Sequence, residues 1–159
     1  MIVYHGSLEV VEHPQILEPN RSLDFGSGFY TTTSQQQAER WVHARMNQAK
    51  VNKGFINKYE YTAEKVLRVR TFRGPNEPWV DFVHANRSMI GYHHDYDIVI
   101  GPVANDNVYL SFNLYESGII TKTDLIRRLK AYKLVDQLLF HTDRSLSTIK
   151  FIGYKEVHK

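Results

Sequence analysis

The order of the secondary-structure patterns limits the folds that are open to this chain. Two short β-favouring runs, residues 2–5 and 29–32, precede the first helical pattern, which opens at Ser34 with Gln37 in the spacing of a capping box. Further strand-like and helix-like segments follow without a regular strand–helix alternation. Because a doubly wound parallel sheet needs that alternation, the order predicts an α+β fold.

Local patterns set the expected bounds of several elements. Apolar residues at helical spacing follow Ser34, and Gly54 is expected to end that helix. Alternation over residues 66–72 predicts a strand with Leu67 and Val69 on the side opposite the arginines. A second helix is expected to start at Pro78 and to place Ile90 on its apolar side. These elements are expected to supply the core.

Size and composition exclude several classes of protein. The 159 residues suit one domain, and we expect a single domain over residues 1–159. No apolar run reaches the roughly 18 residues of a membrane span, and the opening residues lack the pattern of a secretory signal. The chain has no cysteine, which excludes disulfides and thiolate nucleophiles. Together these features predict a cytoplasmic protein without a membrane partner.

Charge is distributed in blocks along the chain. Residues 40–73 carry nine basic and two acidic residues, whereas residues 74–121 carry one basic and six acidic residues. Such blocks are most often solvated faces, but a basic face also suits a phosphate-bearing partner. Arg68, Arg70 and Arg73 are expected to form a basic rim near the ligand site, where a nucleic-acid acceptor would bind through its phosphates.

Three short segments contain residue types that are typical of a ligand site. The first is YHGS (residues 4–7), in which a histidine at a strand end is followed by glycine. The second is DFGSGFYTT (residues 24–32), and the third is DQLLFHT (residues 136–142). Glycines let a ligand approach the main chain, and an aromatic ring on a strand can wall a flat heterocycle. The second segment lacks the third glycine of a dinucleotide fingerprint and the lysine of a phosphate loop.

Together these segments resemble the ADP-ribosyltransferase superfamily, in its His–Tyr–Glu branch of poly-ADP-ribose polymerases and diphtheria-type toxins. With YDIVIGPVAND (residues 96–106), they are most similar to a bacterial family of small ADP-ribosyltransferase-like domains often found in toxin–antitoxin loci. The resemblance implies a split, mostly antiparallel β-sheet core with flanking helices. It also implies NAD as substrate, a protein or nucleic-acid acceptor, and a possible antitoxin partner.

The resemblance also assigns roles to individual residues. His5 would hydrogen-bond the nicotinamide-side ribose, Gly6 would offer backbone groups to the carboxamide, and Tyr30 would line the nicotinamide pocket. The expected NAD-binding residues are His5, Gly6, Ser7, Gly28, Tyr30 and Thr32. The expected catalytic residues are His5, Tyr30 and Gln137.

Gln137 departs from the family pattern, because many members have glutamate at the third motif position. A glutamine can hydrogen-bond a ribose hydroxyl, but it cannot act as a carboxylate base. Asp136 is the alternative occupant of this position. Neighbours on a strand point to opposite faces, so the two side chains are not expected to line one pocket.

Two other functions stay open at this point. An endoribonuclease toxin could use His5, His84 or His141 with the basic segments, and a catalytically inactive NAD-binding module could keep the fold without turnover. No metal site is predicted, because the adjacent His93 and His94 diverge on regular backbone.

Overall fold

The computed structural model describes residues 1–18, 23–103, 106–132 and 134–159. Seven strands and five helices follow in chain order within these ranges: β1 (Ile2–Ser7), β2 (Phe29–Thr32), α1 (Gln35–Ala49), β3 (Lys53–Tyr61), β4 (Val69–Thr71), α2 (Glu77–Ser88), β5 (Ile98–Pro102), α3 (Asp106–Glu116), α4 (Lys122–Lys130), β6 (Asp136–Phe140), α5 (Asp143–Leu146) and β7 (Ile149–His158). None of the helices in these ranges is both long and apolar enough to cross a bilayer.

The strands form one sheet in the order β4-β5-β6-β2-β1-β3-β7. Strands β4 and β5 run parallel, and every other adjoining pair is antiparallel. Strands β1 and β2 share a single registered pair, Tyr4 opposite Thr32, whereas β3 and β7 are paired along their length. The expected α+β fold with a mostly antiparallel sheet is confirmed, and β1 and β2 are the adjoining pair with the fewest registered residues.

Both faces of the sheet are covered by apolar packing. On one face, helices α2, α3 and α4 bury a cluster that includes Phe25, Trp79 and Leu139. On the same face, α1 packs Val42 and its neighbours against β1 and β3. The other face has its own buried cluster, built from residues of β1, β2, β3, β5 and β6. The motif strands β6, β2 and β1 therefore lie in the middle of a sheet that is fixed from both sides.

Helix starts agree with the local sequence signals. The Ser34 side chain accepts a hydrogen bond from the backbone N–H of Gln37, as the spacing predicts. Thr121 caps α4 in a reciprocal capping box with Asp124. Such caps satisfy the first backbone donors of a helix, which have no partner inside it.

Three of the expected element details are wrong. Helix α1 ends at Ala49, because Lys50 adopts the left-handed conformation with φ 56°, and Gly54 lies inside β3. The strand expected over residues 66–72 shrinks to β4, in which Val69 is 41% exposed on the sheet edge. Ile90 lies beyond the end of α2 and is fully exposed. The first error comes from taking the next glycine as the helix end, and the other two come from extending a periodic pattern beyond the element.

Candidate functional site

The sheet order places the three motif strands side by side. Thr32 on β2 is opposite Tyr4 on β1 and, on its other side, opposite Gln137 on β6. Beyond this row β1 and β2 have no further registered pair, and the residues that follow Tyr4 face the start of β2. The candidate site is therefore the β1–β2 junction, which we define by His5, Tyr30 and the neighbouring backbone.

His5 spans this junction with its side chain. Its Nδ1 lies 2.7 Å from the carbonyl oxygen of Tyr30, and since a carbonyl only accepts, Nδ1 carries the proton. Burial lowers the pKa of His5 to about 4, although the bond to Tyr30 opposes this shift. The imidazole is therefore neutral at pH 7, and Nε2 is a hydrogen-bond acceptor that makes no bond within the described part of the chain. The ring packs against Phe29, with centroids 4.4 Å apart.

Tyr30 has a hydroxyl that is used to hold the preceding turn. It donates to the carbonyl oxygen of Gly26 at 2.8 Å and accepts from the backbone N–H of Phe25 at 3.3 Å. Gly26 has φ 86°, a conformation that glycine adopts without steric cost. The Tyr30 ring is partly buried against the cluster under α2 and α3. The hydroxyl thus shapes the loop, and the ring is the part that can wall a ligand.

Strand register separates the three expected catalytic residues. Thr32 pairs with Gln137, and Tyr30 lies two residues before Thr32, so Tyr30 and Gln137 share one sheet face. His5 follows Tyr4, the partner of Thr32, so the His5 side chain projects from the opposite face of the sheet to Tyr30 and Gln137. The three residues lie on adjacent strands but do not line one face.

Gln137 and Asp136 differ in the way that strand alternation predicts. Gln137 is 2% exposed, and its Nε2 has no hydrogen-bond partner among the described residues. Asp136 is exposed at the start of β6, although partial burial still raises the pKa of its carboxyl. An unpartnered buried donor is costly, and a ligand oxygen beside it would relieve that cost. Of the two, Gln137 is the one buried inside the sheet, and its contact with a ligand stays a prediction.

The two glycines of the expected NAD-binding set have structural reasons of their own. A Cβ on Gly6 would collide with the backbone oxygen of Ala38 in α1. A Cβ on Gly28 would lie 2.7 Å from the carbonyl oxygen of Phe140, at the end of β6. Both glycines therefore allow close packing of the protein itself, and their contact with NAD stays a prediction.

The two hydroxyl residues of that set are also engaged. Thr32 is fully buried and donates to the carbonyl oxygen of Asp136 at 3.0 Å, while accepting from the N–H of Ser34. Ser7 accepts a hydrogen bond from Nδ2 of Asn57 at 2.9 Å and donates to the backbone of Glu9. The structure uses these hydroxyls to fix the ends of β1 and β2. Their direct contact with NAD stays a prediction.

Asn57 is a residue of this region that the motif analysis missed. It lies opposite His5 in register and is fully buried. Its Oδ1 accepts from the backbone N–H of Val11 at 2.8 Å, and its Nδ2 bonds Ser7, so it ties the loop after β1 to β3. The signal that could have revealed it is a polar side chain among the inward positions of an alternating strand.

The histidines of the endoribonuclease alternative have separate partners. Nδ1 of His84 lies 3.2 Å from the Glu116 carboxylate, and Nδ1 of His141 lies 2.6 Å from the carbonyl oxygen of Ser27. His5 contacts neither of these groups. Among the described residues these histidines therefore lie in different surroundings, and the endoribonuclease stays an alternative.

The expected basic rim lies away from the β1–β2 junction. Arg68, Arg70 and Arg73 are exposed on and around β4, at the edge of the sheet. Strand β4 is three positions from β2, which is about 14 Å at the usual strand spacing. Strands β5 and β6 separate these arginines from the β1–β2 junction, and their binding of an acceptor stays a prediction.

Comparison with known families gives one match. Residues 1–151 match the model of DUF3990, a family described as proteins of unknown function. Comparisons with curated proteins and with solved structures found no match. The match extends from β1 into β7 and so includes all three motif strands. The chain therefore belongs to the DUF3990 family.

Proposed function

We propose that this protein transfers ADP-ribose from NAD to a macromolecular acceptor and releases nicotinamide. The observation that carries the proposal is the fixed, neutral imidazole of His5 at the β1–β2 junction, beside the backbone of Tyr30. The proposal also rests on the sequence resemblance, whose three motif segments form adjacent strands.

The chemistry requires positioning more than acid catalysis. The bond between the ribose C1 and the nicotinamide nitrogen breaks, and its electron pair leaves with nicotinamide, which becomes neutral. The ribose is left with oxocarbenium character, and a nucleophile of the acceptor forms the new bond at C1 and loses its proton. Holding the reacting groups in the correct geometry supplies a large share of such rate accelerations.

His5 has the properties that this step needs. Its Nε2 can accept a hydrogen bond from a ribose hydroxyl, and the bond from Nδ1 to Tyr30 fixes the ring. Because burial keeps the ring neutral, His5 adds no positive charge beside the forming oxocarbenium. The ring of Tyr30 would line the nicotinamide side of the pocket.

Gln137 would act as a hydrogen-bond donor to the ribose. Its unpartnered Nε2 would gain an acceptor when a ribose hydroxyl oxygen comes within reach. It supplies no negative charge, so it orients the ribose without stabilising the cation electrostatically.

A catalytically inactive NAD-binding module is the second candidate, and the burial of Gln137 favours it. At 2% exposure, the amide contacts NAD only if the groups that cover it move. A chain that binds NAD without this movement would hold the dinucleotide and leave its glycosidic bond intact.

Other parts of the proposal rest on the resemblance alone. An NAD-consuming toxin would act in the cytoplasm, and an antitoxin protein would restrain it. The acceptor is a protein or a nucleic acid, and the experiment below distinguishes these classes.

The test is transfer of label from NAD that carries ³²P in its adenylate phosphate. Purified protein is incubated with this NAD and a cell extract, and macromolecular label is then challenged with nuclease or protease. We expect label with the parent protein, its loss with His5→Ala, and its retention with His158→Ala, which changes an exposed histidine at the end of β7. RNA cleavage without NAD would instead support the nuclease, and NAD binding without label or nicotinamide release would support the inactive module.

A further inference from the structure

A pocket of about 250 Å³ opens at the end of the sheet where β2 and β5 begin and β6 ends. One wall is the turn before β2, at Gly26 and Ser27. A second wall is the segment between α2 and β5, residues 92–96, and His141 closes a third side. Among the described residues, the lining includes none of the three expected catalytic residues. The hydroxyl of Tyr30 bonds Gly26, so the pocket adjoins the candidate site without including its expected catalytic side chains.

His141 brings an unsatisfied nitrogen to the pocket. Its Nδ1 lies 2.6 Å from the carbonyl oxygen of Ser27, so Nδ1 carries the proton. Burial, helped by the neighbouring His94, lowers the pKa of His141 to about 4, and the ring is neutral at pH 7. Nε2 is therefore an acceptor, yet it is buried without a hydrogen-bond partner among the described residues.

Several other side chains of the pocket present aromatic surface. His94 uses both ring nitrogens, since Nε2 donates to the carbonyl oxygen of Phe25 at 3.0 Å and Nδ1 accepts from the N–H of Tyr96 at 3.3 Å. Its ring meets that of His141 edge to face, with centroids 4.4 Å apart, and lies 5.4 Å from the ring of Tyr96. Tyr92 adds a further exposed ring. The pocket thus combines aromatic walls with polar side chains such as Asn86 and Thr142, and the unpartnered Nε2 of His141 is buried behind this lining.

The charge and volume of the pocket limit the kinds of ligand that it can bind. The charged lining side chains are Arg68 and Asp95, which lie 3.9 Å apart and offset each other. No group of three or more histidine, aspartate or glutamate side chains within the described ranges has the arrangement of a metal site. The volume is below the roughly 300–1,000 Å³ of pockets that enclose drug-sized ligands, so it suits one ring system and not a whole dinucleotide.

We infer that this pocket binds a nucleobase, with an N–H group of the base donating to Nε2 of His141 and the base stacked on the rings of residues 92–96. Bases stack on aromatic side chains and present amino or imino hydrogens at their edges. The base can come from the adenine half of NAD or from a nucleic-acid acceptor, because both present the same chemistry. The inference does not depend on ADP-ribosyl transfer.

The test is NMR of protein labelled with ¹⁵N-histidine, titrated with adenosine, guanosine, cytidine and uridine, and separately with NAD and a short single-stranded RNA. We expect the Nε2 resonance of His141 to shift on binding of at least one nucleoside. Tyr92→Ala should weaken that binding about tenfold, as loss of base stacking does. Tyr154→Ala, which removes an exposed ring on β7, should leave it unchanged.

A second variant tests the hydrogen bond itself. His141→Asn keeps an N–H donor near the Nδ1 position but removes Nε2, so we expect about five- to tenfold weaker binding of the nucleoside.

The ligand that shifts the His141 resonance identifies the source of the base. A shift with NAD alone would assign the base to NAD, and a shift with the RNA would assign it to the acceptor.

Two results would overturn the inference. One is an unchanged His141 resonance in folded protein at millimolar concentrations of all six ligands. The other is parent affinity in both Tyr92→Ala and His141→Asn. Nicotinamide release is measured on the same samples. Nucleoside binding in a protein that releases no nicotinamide would sustain this inference and refute the proposed function.

Discussion

Replacing Gln137 by leucine should stabilise the protein. Gln137 is 2% exposed, and its Nε2 donor has no partner among the described residues, so the folded chain bears the cost of an unpaired amide. That cost is typically about 1–3 kcal/mol. Leucine has a similar size, and Leu139, the next residue on the same face of β6, is fully buried. We expect Gln137→Leu to raise the free energy of unfolding by about 1–3 kcal/mol.

Thermal and urea unfolding followed by circular dichroism measure this change. For a chain of this size, each kcal/mol corresponds to a rise in Tm of about 2–4 °C. Gln36→Leu is the matched control, because Gln36 is exposed on α1 and its replacement should change stability by no more than about 0.5 kcal/mol. A Gln137→Leu variant that is less stable than the parent would show that the amide is paired in the folded protein.

The same variant separates stability from function. If Gln137 orients the ribose, Gln137→Leu should release nicotinamide more slowly although it is more stable. A stabilised variant with the parent's turnover would remove Gln137 from the site.

Substitutions at three further positions test the structure more widely. Tyr30→Phe should lower the free energy of unfolding by about 1 kcal/mol, because the hydroxyl hydrogen bonds are lost, but it should keep NAD turnover. Tyr30→Ala should lose NAD turnover. Equal turnover in the two variants would refute a role for the ring. Gly6→Ala should lower stability by about 1–3 kcal/mol in urea unfolding, since the new methyl group meets the backbone of Ala38; an unchanged midpoint would mean that α1 shifts without cost. Hydrogen bonds from Arg144 hold the pKa of Asp97 well below its usual range. The charged Asp97 carboxylate therefore stabilises the folded protein at neutral pH, and this stabilisation is lost as the pH falls below about 4 towards the lowered pKa. The stability gap between the parent and Asp97→Asn should therefore narrow between pH 7 and pH 3, and a constant gap would exclude a charged Asp97.

Features set by short-range chemistry could be predicted from the sequence. The Ser34 cap needs only a hydroxyl three residues before a helical N–H, and the Thr121 capping box needs only a second side chain three residues on. Side chains alternate between the two faces of a strand. This alternation predicts the β2 strand over residues 29–32 and places Asp136 and Gln137 on opposite faces of β6. These features depend on neighbours along the chain.

Features set by distant contacts could not be predicted in this way. Whether His5 and Tyr30 share a sheet face depends on the single β1–β2 pair, and that register joins residues about 28 positions apart. The pocket beside His141 forms because the end of β6, the turn before β2 and the segment after α2 meet in space. The histidine and tyrosine types in residues 92–96 were visible in the sequence, but their common surface was not.

The central claim is that His5 positions the ribose of NAD for loss of nicotinamide. The most direct test is nicotinamide release from NAD by the purified parent, by His5→Ala and by His158→Ala, with folding of each verified by circular dichroism. Because the His5 side chain fixes the β1–β2 junction and supplies the Nε2 acceptor, we expect release by the parent and by His158→Ala and a strong loss in His5→Ala. Release by folded His5→Ala at the parent's rate would contradict the claim.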